Sequence, residues 1–167
     1  PDATLNVSFG YDSGSYAKGK LSSINYKHGS ISYVYDVFGN MTTKTSLINA
    51  FPYITSYGYD NLGRFDSITY PSGMVVSYDR DTLSRITKVS MQESNGGTSK
   101  TIVENIEYLP FGGIKSYDFG NGLMFDAPFN SDYLVTNVTH SDGINDLFNE
   151  TYSYRKLNQI NSITDAL

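Results

Sequence analysis

Tyr59-Asp60-Asn61-Leu62-Gly63-Arg64-Phe65 is a turn phrase that recurs along the chain. Tyr35-Asp36-Val37-Phe38-Gly39 begins 24 residues upstream, Tyr11-Asp12 lies a further 24 upstream, and Tyr78-Asp79 follows after 19. A recurring interval of this kind indicates one supersecondary unit per repeat. At about 3.3 Å per residue, a repeat of this length holds two strands of roughly seven to nine residues and two turns. The sequence therefore predicts an array of β-hairpins.

The phrase has the composition of a tight turn followed by a returning strand. Asp is favoured at the first position of a type I turn because its carboxylate accepts nearby backbone N–H groups, and Gly is favoured at the fourth position. Asp36 with Gly39 and Asp60 with Gly63 have this spacing, and Arg64 follows the second turn. The Tyr before each Asp is expected to end a strand and to lay its ring over the adjacent hairpin. These residues are predicted to be structural.

Composition favours an all-β fold with a thin core. The 167 residues include fifteen Tyr, nine Phe and no Trp, with 39% hydrophobic and 17% charged residues. Tyr buries one side of its ring while the hydroxyl reaches water, which suits a sheet one layer thick. A net charge of −5 with scattered Lys and Arg gives no basic stripe for nucleic acid, and no apolar run approaches the length that spans a bilayer. The absence of Cys removes disulfides and thiol chemistry.

The whole chain, 1–167, is predicted to be one continuous repeat array. No linker-like segment divides it, although residues 92–99 are polar enough for an exposed loop tip. Residues 142–150 form the weakest strand candidate, because Gly143-Ile144-Asn145-Asp146 suggests a bend or a single helical turn. In the second half a similar repeat interval continues, but other residues replace the Tyr-Asp pair, in segments that begin at Tyr108, Phe129 and Tyr154.

Three turn and strand segments follow one another closely along the chain: Tyr59-Asp60-Asn61-Leu62-Gly63-Arg64-Phe65, then Ile68-Thr69-Tyr70-Pro71-Ser72-Gly73, then Val76-Ser77-Tyr78-Asp79. Gly120-Asn121-Gly122-Leu123 is a further turn segment. Together they resemble the Tyr-Asp (YD) repeats of the Rhs family, which includes the cocoon-forming component of insecticidal toxin complexes and the barrel of teneurins. The resemblance covers nearly the whole chain.

This resemblance implies antiparallel hairpins in a curved or spiral sheet, as a segment of a hollow β-shell that holds a toxic C-terminal domain until delivery. The implied partners are flanking YD repeats of the same polypeptide, the enclosed toxin or effector domain and delivery-complex proteins, and the implied location is secreted or cell-surface delivered. Asp165-Ala166-Leu167 does not match the Asp-Pro-x-Gly-Leu signature at which such shells release their cargo, so no protease residue is carried over. The chain is far shorter than a complete shell, and a wall fragment is expected.

No catalytic residue, metal ligand or cofactor is predicted. His28 and His140 have no spacing signature for a catalytic triad or a metal site, and Asp79, Asp81 and Asp142 are better explained as turn formers than as calcium ligands. The expected role is non-enzymatic. An adhesion module that binds carbohydrate or protein is the alternative, because aromatic rings flanked by Asn and Asp suit stacking on a sugar face.

Overall fold

The computed structural model of the protein describes residues 6–94 and 96–167, and its fourteen β-strands lie within these ranges. The strands are Ser8–Tyr11 (β1), Leu21–Tyr26 (β2), Gly29–Tyr35 (β3), Met41–Ile48 (β4), Phe51–Tyr59 (β5), Phe65–Thr69 (β6), Val75–Arg80 (β7), Ile86–Gln92 (β8), Ser99–Tyr108 (β9), Ile114–Phe119 (β10), Met124–Asp126 (β11), Asn137–Ser141 (β12), Asp146–Tyr154 (β13) and Ile160–Asp165 (β14). One 3-10 turn covers Lys156–Asn158. Asn95, within the predicted loop tip, lies outside the described residues.

Strand order in the sheet follows chain order from β1 to β14. The paired strands run antiparallel, as β1 with β2, β5 with β6 and β13 with β14 illustrate. Every connection between neighbours is therefore local, as hairpins require. The predicted all-β fold of antiparallel hairpins is confirmed. No helix in the described part of the chain has the length and apolar character needed to cross a membrane.

The chain divides into two compact units, Pro1–Ser77 with Gln92–Thr98 and Tyr78–Met91 with Ser99–Leu167. The first unit contains β1 to β6 and the first half of β7. The second contains the rest of β7 and β8 to β14, apart from the last residue of β8. The prediction for residues 142–150 is correct for the bend, which lies at residues 143–145, and wrong for residues 146–150, which form the first half of β13. Pairing with β12 overrides their weak propensity, because His140 lies opposite Phe148 and Val138 opposite Glu150.

Two rows of residues on opposite faces of β1 to β4 differ in chemistry. Residues paired across an antiparallel ladder share a face, and successive residues alternate between faces. Phe9, Ile24 and Ile31 are paired in register and form an apolar row. The row on the opposite face consists of Gly10, Ser23, Ser32 and Thr45. Over these strands one row therefore carries large side chains and the row on the other face carries short ones, until Thr45 meets Ile54 on β5.

Very few side chains are buried. Among the described residues only Ala17, Ala127 and Ser22 fall in the buried class, and most strand residues are half-buried. A sheet that is not covered by a second layer has this pattern, because each side chain is sheltered only by its neighbours on the same face. Stability must then come from cross-strand pairs and from the turns.

Candidate functional site

The repeated turn is a five-residue hairpin connection that the backbone closes twice. In residues 36–40 the Asp36 N–H donates to the Asn40 carbonyl at 2.9 Å, and the Gly39 N–H donates to the Asp36 carbonyl at 3.0 Å. Residues 60–64 repeat both bonds, with Gly63 in the place of Gly39. Gly39 and Gly63 have φ values of 84° and 74°, a left-handed conformation that Gly adopts without steric cost. Each connection is a type I turn completed by a left-handed residue, a common hairpin loop.

The Asp carboxylate stabilises the same turn from within. One oxygen of Asp60 accepts the N–H groups of Leu62 and Arg64, both at 2.9 Å, and the other accepts the Arg64 guanidinium at 2.6 Å. Asp36 accepts the N–H of Asn40 at 2.8 Å, and the Asn40 side-chain amide takes the place of the guanidinium at 3.1 Å. The carboxylate thus satisfies backbone donors that the turn would otherwise leave to water.

Hydrogen bonds also favour the ionised form of these carboxylates. The Arg64 N–H is the largest influence on Asp60, and together with the Arg64 side chain it outweighs desolvation, so the pKa of Asp60 lies below its ordinary value of 3.8. For Asp36 desolvation is the largest single influence and raises the pKa, but the bonds from Asn40 and the turn backbone outweigh it, and the pKa is lowered as well. Both groups act as ionised turn formers rather than as acids or bases.

The third turn lies two residues later than the sequence predicted. Tyr78 and Asp79 lie inside β7, and Asp81 opens the turn instead. The Asp81 N–H donates to the Arg85 carbonyl at 2.9 Å, and the Asp81 carboxylate accepts the Arg85 N–H and pairs with its guanidinium at 2.8 Å. Ser84 stands where the other turns have Gly and adopts a φ of 69°. The Tyr78-Asp79 pair is therefore strand sequence, because the residue that caps the turn is the Asp four positions before Arg85.

Tyr11-Asp12 begins a longer connection of residues 12–20. Tyr11 ends β1, and the Asp12 N–H donates to the Lys20 carbonyl at 3.1 Å. The Asp12 carboxylate accepts the Gly19 N–H, and Asp12 itself has a φ of 61°. Asp12 thus caps its own loop as Asp36 and Asp60 do, although the loop is not the five-residue turn.

Four tyrosine hydroxyls fasten a strand to the strand before it. Tyr59, the last residue of β5, donates to the carbonyl of Met41, the first residue of β4, at 2.9 Å. Three more bonds of this kind join Tyr35 to Leu21 at 2.7 Å, Tyr108 to Ile86 at 2.8 Å and Tyr154 to Val135 at 2.7 Å. Each donor ends a strand, and each acceptor begins or just precedes the neighbouring strand. We call these four residues the tyrosine clamps.

A β-bulge lies opposite each of the four clamps. Tyr59 pairs with Phe65 while Gly58 pairs with Ser67, which leaves Asp66 as the extra residue. The extra residues opposite Tyr35, Tyr108 and Tyr154 are Thr42, Lys115 and Asn161. A bulge bends the strand and re-aims the side chains beside it. The bulge therefore belongs to the geometry that positions the clamp.

Two clamp rings are also covered by a cation. The Lys20 ammonium lies 5.1 Å from the centre of the Tyr35 ring, and the Arg85 guanidinium lies 5.1 Å from that of Tyr108. Contacts of this kind contribute about 0.5 to 1 kcal/mol at exposed sites. Tyr59 instead faces a negative charge: desolvation first, and then Asp36, raise the pKa of its hydroxyl. Tyr59 therefore stays a protonated donor across the physiological range.

The second half of the chain builds the same two backbone bonds from other residues in 109–113 and 130–134, where the N–H groups of Leu109 and Asn130 donate to the carbonyl four positions later. Arg155 makes the same outer bond to Gln159, but Leu157 and Asn158 have φ values of 67° and 60°, so residues 155–159 form a different turn. Asn130 replaces the Asp, because its amide oxygen accepts two backbone N–H groups of its turn at 2.9 and 3.0 Å. At the opposite ends of the strands, Tyr70 and Phe119 open two further turns of this type. The turn type therefore continues where other residues replace the Tyr-Asp pair.

An aromatic ladder crosses four strands of the second unit. Tyr117, Phe125, His140 and Phe148 lie directly opposite one another on β10 to β13. Their ring centres are 4.7, 5.3 and 5.7 Å apart in that order, within the range of favourable ring pairs. Phe119 adds a ring 6.2 Å from His140. Sequence reasoning missed this ladder, because it depends on register across four strands.

The structure does not assemble a catalytic or metal-binding constellation from the candidates that the sequence raised. No group of three or more His, Asp or Glu side chains suited to a metal ion occurs within residues 6–94 and 96–167. His28 lies in the turn between β2 and β3, whereas His140 lies in the aromatic ladder of the other unit. The carboxylates of Asp81 and Asp142 accept backbone N–H groups of their own turns.

Comparison with solved structures identifies related folds in toxin complexes. No protein-family model matches the chain, and no curated protein matches it in sequence. The crystal structure of TcdB2-TccC3-Cdc42 matches 95% of this chain with a TM-score of 0.82 at 13% identity. The Photorhabdus luminescens Tc holotoxin pore and TcdB2-TccC3 without its hypervariable C-terminal region each match 96% with a TM-score of 0.83, also at 13% identity. The chain spans 9% of the length of each of these chains. The fold is thus that of a short section of large toxin-complex components.

Proposed function

We propose that this chain is a non-enzymatic section of the wall of an Rhs-type β-shell, which encloses a toxin or effector domain for delivery. The observation that carries the proposal is the sheet itself, in which chain order is strand order from β1 to β14 and almost none of the described side chains is buried. A wall one layer thick needs such a sheet, because it separates two spaces and does not enclose a core of its own.

The turns and clamps supply what a thin wall lacks in core packing. Each five-residue turn fixes the register of one hairpin, and each tyrosine clamp ties a strand to its predecessor by a bond of 2.7 to 2.9 Å. Hairpins added in this way extend a sheet without any long-range connection, as in other repeat proteins. The proposed partners are flanking repeats of the same polypeptide, the enclosed C-terminal domain and delivery-complex proteins. The proposed location is outside the producing cell.

The experiment is limited proteolysis of the polypeptide expressed from its complete gene. The proposal expects the C-terminal domain to resist protease while the shell is intact and to be digested once mild denaturant opens it. A matched control is the same C-terminal domain expressed alone, which should be digested at once. A C-terminal domain that is cleaved equally fast in both proteins would refute enclosure.

The aromatic ladder favours a second candidate function, binding of carbohydrate at the surface. Tyr117, Phe125, His140 and Phe148 present one ring per strand at intervals of 4.7 to 5.7 Å, and aromatic faces are common platforms for sugar rings. A glycan array with the folded chain and with Phe125→Ala tests this candidate. Specific binding that the substitution abolishes would support it, and an absence of specific binding would eliminate it.

A further inference from the structure

Tyr11 has the local geometry of a tyrosine clamp. It ends β1, directly precedes the turn residue Asp12, and pairs with Leu21 across a bulge whose extra residue is Ser22. Each of the four clamps also ends its strand opposite a bulge. The Tyr11 hydroxyl, however, has no hydrogen-bond partner within residues 6–94 and 96–167, and the residue is 60% exposed. Tyr11 is therefore a clamp donor without an acceptor in the described part of the chain.

A clamp reaches the strand before its own. The separations in sequence between donor and acceptor are 14, 18, 22 and 19 residues for Tyr35, Tyr59, Tyr108 and Tyr154. The sequence has ten residues before Tyr11, fewer than the shortest of these separations, so the acceptor that this spacing requires is not among them. Because β2 occupies one side of β1, a strand that supplies the acceptor must lie on the other side.

The first residue of β14 has the geometry of a clamp acceptor. Ile160 pairs with the clamp Tyr154 across a bulge. The acceptors Leu21 and Met41 likewise each pair across a bulge with the last residue of the strand before. β14 is the last strand of the sheet in the described part of the chain, so no strand follows it there to supply a Tyr. The two edge strands thus present the two halves of one clamp.

The existing clamps also define a register. In three pairs of strands, the residue three positions after the acceptor lies opposite the residue four positions before the Tyr. These pairs are Ile24 with Ile31, Lys44 with Thr55, and Val138 with Glu150. Applied to Ile160 as acceptor and Tyr11 as donor, the same rule sets Ile163 opposite Val7.

The backbone of β14 fits this register. The Tyr152 N–H donates to the Thr136 carbonyl, away from β14. Its partner across the ladder, Ile163, therefore directs its own N–H and carbonyl away from β13 and toward the outer side of β14. A strand added at this edge would form backbone hydrogen bonds to Ile163.

The bond pattern of the first unit gives the matching direction on β1. The Asn49 N–H donates to the His28 carbonyl, so bonded pairs alternate along β3 and β4 from that point. Followed through the registers of β3 with β2 and of β2 with β1, this alternation makes Gly10 bond to β2 and Phe9 point away from it. Val7, two residues before Phe9, shares the outward direction. The outward groups of the two edges therefore fall opposite each other in the register that the clamps define.

The side chains agree with the same register. Val7 and Ile163 bring two apolar residues together on one face, and Ser8 lies opposite Ser162 on the other face. Neither edge is protected against pairing, because β1 contains no charged residue and no Pro, and the only charged residue of β14 is Asp165 at its end. Natural sheets place charges or Pro on edges that stay in solvent. β1 and β14 thus have the composition of strands that continue a sheet.

We propose that β14 of one copy of this chain adds antiparallel to β1 of a second copy, with the Tyr11 hydroxyl of the second copy donating to the Ile160 carbonyl of the first. Backbone hydrogen bonds supply the affinity of such strand addition, and the clamp adds one more bond. The contact is heterologous, because it joins different edges of the two copies, so association continues beyond a dimer. It does not depend on enclosure of a second domain, which a different experiment tests.

Sedimentation of the 167-residue chain from about 1 to 500 micromolar tests the contact, together with two variants that each block one edge. Ile163→Pro removes the outward N–H of β14 and keeps the β13–β14 ladder, and Val7→Pro removes the matching N–H beside β1. The wild-type chain is expected to self-associate as its concentration rises, and each variant alone is expected to stay monomeric. An equal mixture of the two variants is expected to form a heterodimer, because one retains its β1 edge and the other its β14 edge.

The mixture also isolates the clamp in a single contact. Adding Tyr11→Phe to the Ile163→Pro variant removes only the hydroxyl, and the dissociation constant of the heterodimer is expected to rise about three- to tenfold. Tyr53→Phe in the same variant is the matched control, because Tyr53 lies on the inner strand β5 and its hydroxyl has no hydrogen-bond partner in the described ranges. This control should change the dissociation constant by less than about twofold. Circular dichroism checks that each variant keeps its β-sheet.

Association of the wild-type chain, its loss in each Pro variant and its return in the mixture would support the proposal. A wild-type chain that stays monomeric at every concentration would leave these edges to other strands of its own polypeptide and would overturn it. Self-association of either Pro variant alone at wild-type strength, or a mixture of two folded variants that stays monomeric, would overturn it as well. If a Pro variant does not fold, Tyr11→Phe in the wild-type chain decides: unchanged self-association would refute the contact, and weaker self-association would support it.

Discussion

Replacing Tyr59 by Phe removes one hydroxyl from the chain and leaves the ring in place. That hydroxyl donates to the Met41 carbonyl at 2.9 Å in a half-buried position. A net hydrogen bond contributes about 0.5 to 1.5 kcal/mol, and an acceptor left without a partner costs more where water cannot reach it. Because the site is only partly buried, we expect a loss of about 1 kcal/mol in the free energy of unfolding. For a domain of this size such a loss lowers Tm by about 2 to 4 °C.

The assay is urea unfolding followed by far-ultraviolet circular dichroism, with Tyr53→Phe as the matched control. Tyr53 lies on the same strand, β5, and its hydroxyl has no hydrogen-bond partner among residues 6–94 and 96–167. The control should change the unfolding midpoint by less than the error of the measurement. If Tyr59→Phe is as stable as wild type, or if Tyr53→Phe loses as much, the clamp does not stabilise the sheet as argued.

Three further predictions concern the turns and the ladder. Hydrogen bonds lower the folded-state pKa of four turn carboxyls, Asp36, Asp60, Asp81 and Asp142. The ionised carboxylates therefore stabilise the fold above pH 3.8, and this stabilisation is lost as the pH falls through the lowered pKa values. Urea unfolding midpoints measured from about pH 7 to 2 should show the loss, and Asp60→Asn should make the midpoint depend less on pH. Gly63→Ala should cost about 1 to 2 kcal/mol in urea unfolding because its φ is 74° although its Cβ would meet no neighbouring atom, and Gly63→Asn should cost less. Phe125→Leu should cost about 1 to 2 kcal/mol by thermal unfolding, because it removes ring contacts of 4.7 and 5.3 Å; a cost near zero would show that the ladder does not stabilise the sheet.

The fold was accessible from the sequence because its signals are local. A hairpin array requires only short-range information, and the spacing of Asp36 with Gly39 or of Asp60 with Gly63 already indicates the type I turn at the centre of each five-residue connection. The alternation of each strand adds the faces. For this reason the all-β antiparallel array could be predicted without knowledge of any distant contact.

The displaced turn shows that a match to the Tyr-Asp pair alone can predict a turn at the wrong residue. Tyr78-Asp79 matches the phrase by name, but Asp81 and Arg85 reproduce the spacing of Asp60 and Arg64 that closes the turn. An alignment on the Asp-to-Arg interval would have located it, because in both turns the carboxylate of the first residue accepts the guanidinium of the fifth. The Tyr of the phrase has a separate role as a clamp, and Arg80 stands in its place before Asp81.

Features that depend on register could not be read from the sequence. The Tyr108 clamp joins residues 22 positions apart, and the aromatic ladder requires four strands to align Tyr117, Phe125, His140 and Phe148. Each bulge shifts the register by one residue, so the partner of a given side chain is undetermined until the turns are known.

Electron cryo-microscopy of the polypeptide expressed from its complete gene tests the central claim most directly. The account predicts a closed shell one sheet thick, with this chain as a section of its wall and density for a separate domain inside. A sheet that stands free with both faces in solvent, or a shell without an enclosed domain, would contradict it.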